Sequence, residues 1–322
     1  MNILLLIISF ILSIILTYTI RAIANKKELL DHPNERSSHT VPTPKGGGLA
    51  IVLIFYSTLS YLFFQNEISS PLFFALLSGI PIVIVSFIDD IYPVPAKIRF
   101  TIQLISAVMA LFFLNGVDNM NFSLFSLQGE WVNVLAIIGI VWLTNLYNFL
   151  DGIDGYAGGE AFFVGLASFI LFGNDLALIL AVAVAGFLMF NWHKASIFMG
   201  DVGSAPLGFI FAIFILNDAS TLNFLPWLML LSLFWFDATL TLIRRAKQKE
   251  RLSQAHKKHA YQRLNQAGYR HDKVVLFATV VNIFIFIVLY LTPSNFMLYL
   301  FILLLMVLYG LTRIIDAKKA FE

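Results

Sequence analysis

Apolar runs near the length of a bilayer crossing recur along this chain, separated by short polar punctuation. No other feature limits its folding as tightly. A run of about 20 apolar residues spans a bilayer as a helix, because inside lipid each backbone N–H and C=O must be satisfied within the segment. Eleven such runs are predicted, near 2–20, 48–64, 72–91, 97–115, 131–149, 156–173, 176–191, 204–216, 223–243, 274–291 and 295–312. Several are short, the eighth most of all, and imply tilt or local thinning. The first is read as a true span, since it lacks the basic leader and small-residue cleavage site of a signal peptide. Composition agrees: 59% of the 322 residues are apolar and 12% charged, against about 25% charged in soluble domains.

Charge sets the expected orientation. When the connections are assigned alternately to two sides, all 21 Lys and Arg fall on one of them. Basic loops stay cytoplasmic, so the N-terminus is expected outside and the C-terminus inside. The expected fold is therefore an all-α polytopic integral membrane protein of about 11 transmembrane helices. It forms one domain over 1–322, with cytoplasmic loops at 21–47, 92–97, 150–156, 192–203 and 244–273. A net charge of +2 is too small for a nucleic-acid footprint, and the absence of cysteine excludes a thiolate metal site or nucleophile.

The polar clusters lie at the inner ends of spans. Pro42-Thr43-Pro44-Lys45-Gly46-Gly47-Gly48 is either a phosphate-approaching loop or an ordinary turn into the second span. Asp89 and Asp90 end the third span, and Lys97 and Arg99 open the fourth. Adjacent aspartates on a helix point about 100° apart and cannot share one role; an interfacial salt bridge from Asp90 to Lys97 or Arg99 is the simpler alternative to a substrate contact. In Asn145, Asn148, Asp151 and Asp154 polar groups recur every third position, with Gly152 and Gly155 between. That predicts a helix unwinding into a cavity-lining loop, with oxygens suited to a divalent cation or nucleotide edges. Phe198-Met199-Gly200-Asp201-Val202-Gly203-Ser204 offers a glycine-flanked carboxylate, a metal ligand or a helix cap, beside an aromatic ring that could stack on a base. If helical, His256, His259 and Arg263 would share one narrow arc; the alternative is a juxtamembrane helix drawn to anionic lipid. Asp237, within the ninth span, has no basic partner nearby in sequence.

Together the clusters put acidic metal-ligand types, glycine turns and Arg, Lys and His donors at one membrane face, a combination that fits metal-assisted phosphoryl transfer. No P-loop or HExxH motif is present. The rival class is a transporter or flippase for a polyprenyl-linked or nucleotide sugar, which would place its ionisable groups near the bilayer midplane.

The ordered set PTPKGGG, DD with KxR, NxxNFLDGIDG, FMGDVGS and HxxHAYQRL, running from about Asp31 to Arg263, resembles the polyprenyl-phosphate N-acetylhexosamine-1-phosphate transferases, the MraY/WecA superfamily of glycosyltransferase family 4. The resemblance implies transfer of a sugar-1-phosphate from a UDP-N-acetylhexosamine to polyprenyl (undecaprenyl) phosphate with release of UMP. It implies Mg²⁺ as cofactor, with Mn²⁺ as an alternative, and a multi-pass enzyme of the bacterial inner membrane, among membrane lipids, with its site on the cytoplasmic face; a homodimer is compatible with it. By motif, Asn148 and Asp201 match metal positions, Asp89 a base or nucleophile, and Asp90 and Lys97 phosphate support. Asn145, Asp151, Asp154 and Phe198 fall to the nucleotide, and Thr43, His256, His259 and Arg263 to sugar or diphosphate. Ser37-Ser38-His39 and HxxHAYQRL depart from the peptidoglycan-type pattern. They look more like the WbpL-type branch, which starts O-antigen or related surface glycans from GlcNAc, FucNAc or QuiNAc.

Overall fold

The computed structural model describes residues 2–33, 38–219, 224–252, 254 and 256–321. Arg36 and Ser37, which entered the charge count and the loop comparison, lie outside the described residues. The chain folds almost entirely into helices. In order they are α1 (Ile3–Lys26), α2 (Gly48–Phe64), α3 (Ser70–Leu77), α4 (Ile80–Ile91), α5 (Ala96–Phe113), α6 (Trp131–Phe149) and α7 (Tyr156–Phe172). There follow α8 (Asp175–Asn191), α9 (Asp201–Ala219), α10 (Leu225–Leu230), α11 (Ser232–Lys247), α12 (Ala260–Gln266), α13 (His271–Leu291) and α14 (Met297–Lys318). Two small antiparallel pairs complete the list: β1 (Leu30–Asp31) with β2 (Thr43–Pro44), and β3 (Asn119–Asn121) with β4 (Ser126–Gln128).

Seven helical segments among the described residues are long and apolar enough to cross a membrane, not the eleven expected. The difference has a physical origin. Helices α2, α7 and α8 have 17 residues each, about 26 Å at 1.5 Å per residue, short of the roughly 30 Å hydrocarbon core. The expected ninth span is broken at Leu231 into α10 and α11.

Side chains are distributed as in a protein solvated by lipid. On α1 the buried residues are Ser9, Ser13, Thr17 and Ala24, whereas Ile3, Leu4, Ile7, Ile11 and Ile15 are exposed. Small and hydroxyl-bearing side chains face the bundle because backbones can approach there and interhelical hydrogen bonds form, while lipid accepts the branched aliphatics. Ser13 Oγ donates to the Ala183 carbonyl of α8 at 2.5 Å. Helix α9 is the axis of the bundle: 83% of its spanning window is buried, against 17% for α1 and 22% for α14. It packs against α2, α4 and α6. One close approach is between Gly48 and Gly203, where a Cβ on Gly48 would fall 2.7 Å from the Gly203 backbone nitrogen. Only glycine lets the first turns of α2 and α9 meet. That meeting brings the turn before α2 against the segment before α9, where the Gly48 N–H donates to the Met199 carbonyl.

Candidate active site

The start of α9 organises the site. Gly200 adopts φ +75°, and a Cβ there would lie 2.6 Å from an oxygen of Asp90. Without it, the Asp90 carboxylate reaches the exposed N-terminus of α9 and accepts from the backbone N–H of Asp201 at 3.1 Å and of Val202 at 3.0 Å. A carboxylate satisfies free helix N–H groups and complements the helix dipole. Asp90 thus clamps α4 to α9, and the alternative of a salt bridge from Asp90 to Lys97 or Arg99 does not form.

Its neighbour Asp89 points elsewhere, as the angular separation required. Asp89 accepts from the Val94 N–H at 2.6 Å and pairs with Arg99. The same Arg99 nitrogen donates to Asp201 Oδ2 at 2.9 Å, and Asn148 Nδ2 donates to that oxygen at 3.1 Å. Ser204 Oγ donates to Asn148 Oδ1 at 3.0 Å. Residues from α4, α5, α6 and α9 are therefore linked by direct bonds. Arg99 makes the ion pairs; Lys97 is exposed and has no side-chain partner among the described residues. On a helix, positions two apart point about 200° away from each other, so only one of the two cations could face the carboxylates.

A cleft of about 450 Å³ opens beside this chain of contacts. Asp90, Asn148, Asp151, Asp154, Phe198 and Asp201 line it, together with His39, Lys45, Asn191, Gln262 and His271. Helix α6 ends at Phe149 and residues 151–155 are non-helical, with Gly155 at φ +73°; the expected unwinding occurs here. Burial, with Asp201, Asp90 and Asp154 nearby, pushes the Asp151 carboxyl up to about 8. Burial would also raise Asp154, but hydrogen bonds from His271 and His193 hold it below its ordinary value. Five aspartates line this cleft, Asp31, Asp90, Asp151, Asp154 and Asp201, and with Asp151 driven toward its neutral form they describe a site that a bound cation would relieve. Asn148 and Asp201 carry the hard oxygens that Mg²⁺ prefers. Phe198 offers its ring, in edge contact with His39 at 4.8 Å between centroids.

Other expected contributors are placed differently. The amides of Gly47 and Gly48 donate to the Phe198 and Met199 carbonyls at 2.9 and 2.8 Å, so those N–H groups are consumed in the fold and cannot cradle a phosphate. Thr43 is buried in β2, where its hydroxyl donates to the Val41 carbonyl at 3.0 Å, away from the cleft lining. Asn145 donates to Gln103 at 2.6 Å and to the Val141 carbonyl; it joins α6 to α5 instead of facing a nucleotide.

The shared arc of His256, His259 and Arg263 does not form, because the helix begins only at Ala260, with His259 as its N-cap. Arg263 turns away and pairs with Asp316 of α14. Burial, followed by the adjacent His259 and Arg245, pushes His256 down to about 3; burial with Arg245 and Arg263 does the same to His259. Neither imidazole is charged near neutral pH. Asp237 proves to be a cap: it accepts from the Ala260 N–H at 2.9 and 3.0 Å and fixes α12 on α11. Sequence reasoning passed over Lys45, Asn191, His271 and Gln262 as site residues. Asn191 and His193 are polar residues where the seventh span ends, and His271 opens the tenth; those positions were the available signal.

The model of glycosyl transferase family 4 matches residues 72–218, the stretch holding Asp89, Arg99, Asn148 and Asp201. A phospho-N-acetylmuramoyl-pentapeptide-transferase of Staphylococcus saprophyticus is 30% identical, over 64% of this chain and 72% of its own. The chain belongs to glycosyl transferase family 4. Among other family 4 relatives, a probable undecaprenyl-phosphate N-acetylglucosaminyl 1-phosphate transferase of Bacillus subtilis is 29% identical over 94% of this chain and 88% of its own length. A decaprenyl-phosphate N-acetylglucosaminephosphotransferase of Mycobacterium leprae is 27% identical over 81% of this chain and 76% of its own. This family 4 transferase presents multiple apolar helices and is a membrane protein.

Proposed function

We propose that this family 4 member transfers N-acetylhexosamine-1-phosphate from a UDP-sugar to undecaprenyl phosphate. An oxygen of the lipid phosphate forms a bond to the sugar-bearing phosphorus, the bond to the UMP oxygen breaks, and UMP leaves with a polyprenyl-diphospho-sugar remaining. One observation carries the reading: Asp89, Arg99, Asn148 and Asp201, from four helices, are bonded into one unit beside a cleft lined by Asp151, Asp154 and Phe198.

Mg²⁺ would be held by Asp201 and Asn148, and when bound it would neutralise charge developing on the diphosphate. Arg99 supplies fixed positive charge at the same rim, the task that motif matching gives to Lys97. Asp89, sharing Arg99 with Asp201, stays the candidate base. Asp90 acts through Asp201, which it orients by capping α9. Asp154 and Phe198 receive the nucleoside, and Lys45 on the cleft wall balances the aspartates. GlcNAc is the first sugar to test, on the names of the relatives; FucNAc and QuiNAc follow from the resemblance to the WbpL-type branch, and with them a role in starting O-antigen or another surface glycan.

The site is proposed to face the cytoplasm of the bacterial inner membrane. Supporting this, the cleft forms where Lys45 and Arg99 lie, on the side that gathers the basic loops. Reporter fusions should place the loop near Lys257 inside and Asp118 outside; the reverse result would refute the orientation. For the activity, purified protein with Mg²⁺, undecaprenyl phosphate and UDP-GlcNAc should release UMP. No release across a panel of UDP-N-acetylhexosamines, from a sample with a sharp melting transition, would defeat the proposal.

A further inference from the structure

Asp154 sits in the non-helical turn between α6 and α7 and is gripped from two distant parts of the chain. His193 Nδ1, from the segment between α8 and α9, lies 2.9 Å from Asp154 Oδ2. His271 Nδ1, at the start of α13, lies 3.1 Å from the same oxygen. The Ala195 N–H donates to it as well, at 3.3 Å. These three contacts converge on Oδ2, and the Asp154 backbone N–H adds a 3.3 Å contact to the same His271 Nδ1. Oδ1 receives no donor among the described residues, and Asp154 belongs to the cleft wall. The turn itself is pinned by Asn191, whose side-chain oxygen accepts from the Gly155 N–H at 3.1 Å while its amide donates to the Ile197 carbonyl at 3.0 Å. A buried carboxylate with one oxygen saturated and the other without a donor among the described residues can present that oxygen to a ligand. It accepts a hydrogen bond and cannot donate one.

We propose that His193 and His271 are positioning residues for the nucleotide: by occupying Oδ2 of Asp154 from two sides, they aim Oδ1 at an N–H of the donor's base. This rests on the reading of the site as a UDP-sugar pocket. A uracil ring offers an N–H between its two carbonyls, whereas cytosine carries an unprotonated acceptor nitrogen at that position, so a fixed acceptor on the protein favours the first and repels the second. Discrimination follows from leaving a buried polar group unpaired in the wrong complex. His271 has a further consequence. It belongs to α13, outside the matched stretch 72–218, and so ties the C-terminal part of the chain to the nucleotide end of the cleft.

The test uses the full-length protein in detergent, with UMP binding measured by calorimetry and steady-state rates measured with UDP-GlcNAc. His271→Ala should weaken UMP and raise the KM for the UDP-sugar by about tenfold or more, the scale of a lost hydrogen bond to a charged group. The KM for undecaprenyl phosphate should stay within about twofold and kcat within about threefold, both small on the scale of a lost interaction. His271→Asn, which can place an amide nitrogen near Nδ1, should recover most of the affinity. Combining His271→Ala with Asp154→Asn should be no worse than Asp154→Asn alone, because the histidine acts only through that carboxylate.

Equal UMP affinity in wild type and His271→Ala would overturn the positioning role and leave the enzyme reading intact. Failure of the wild type to bind UMP at all would overturn both. A fall in kcat at unchanged KM, without recovery in His271→Asn, would make His271 merely structural. Stoichiometric zinc in the wild type that is lost from His271→Ala would also overturn the proposal, since Asp154, His193 and His271 bring their donor atoms within 4.8 Å of one another and would then be metal ligands.

Discussion

Asp201→Asn is expected to cut UMP release by about two to three orders of magnitude, the usual cost of removing one preorganised electrostatic group at a reacting centre. Asp201 Oδ2 is the point where the site converges: it takes the Arg99 guanidinium at 2.9 Å and the Asn148 amide at 3.1 Å. The isosteric amide keeps the volume and the start of α9, and it removes the negative charge that balances Arg99 and would bind Mg²⁺. Asn148→Ala should be comparably damaging, because Asn148 supplies the neutral oxygen of the pair proposed to hold Mg²⁺. Both variants should express and melt close to wild type, since Asp89 still pairs with Arg99 and Asp90 still caps α9. Near-normal rates at saturating Mg²⁺ would remove both residues from the metal role.

Gly48→Ala should lower the melting temperature, although helix propensity alone argues the reverse. Alanine favours a helix over glycine by up to about 1 kcal/mol. Here the added Cβ would meet the Gly203 backbone nitrogen at 2.7 Å and Met199 Cγ at 2.9 Å. Backbone cannot swing aside as a side chain can, so overpacking of about 1–3 kcal/mol should win. Gly139→Ala on α6 is the control, because a Cβ there meets nothing within 4 Å. In a thermal-shift measurement the first variant should melt lower and the second should not. Turnover of Gly48→Ala should also fall, since α2 and α9 carry the loops that meet at Phe198 and Met199. A melting temperature at or above wild type would remove the glycine contact as the reason for that close approach.

Much of the fold was legible because bilayer physics is one-dimensional: the length of an apolar run needs no knowledge of contacts. The count was less secure. Whether a 17-residue helix crosses, or whether Leu231 breaks a span in two, depends on neighbours. The site divides in the same way. That Asp89 and Asp90 must serve different ends followed from helix geometry alone, and so did the unwinding after Phe149, from the glycines among spaced carboxylates. Which end each aspartate serves did not. Asp90 meets an N-terminus 111 residues later in sequence, and Asn145 finds Gln103 at an interhelical contact. The periodicity that drew attention to Asn145 is the same whether it faces a nucleotide or a neighbouring helix.

The histidines make the point most sharply. His256, His259 and Arg263 stood out because their spacing suits a helix, yet the helix starts after His259 and Arg263 is turned to Asp316. His193 and His271 had no shared motif, and they converge on one oxygen of Asp154. Sequence by itself determined the solvent of this protein, its helical class and the residue types gathered at the cleft, because these depend on local composition and period. Tertiary structure decided which cation meets which carboxylate, which glycines serve packing, and which oxygen is left free for a ligand. Those choices depend on distances between segments far apart in the chain.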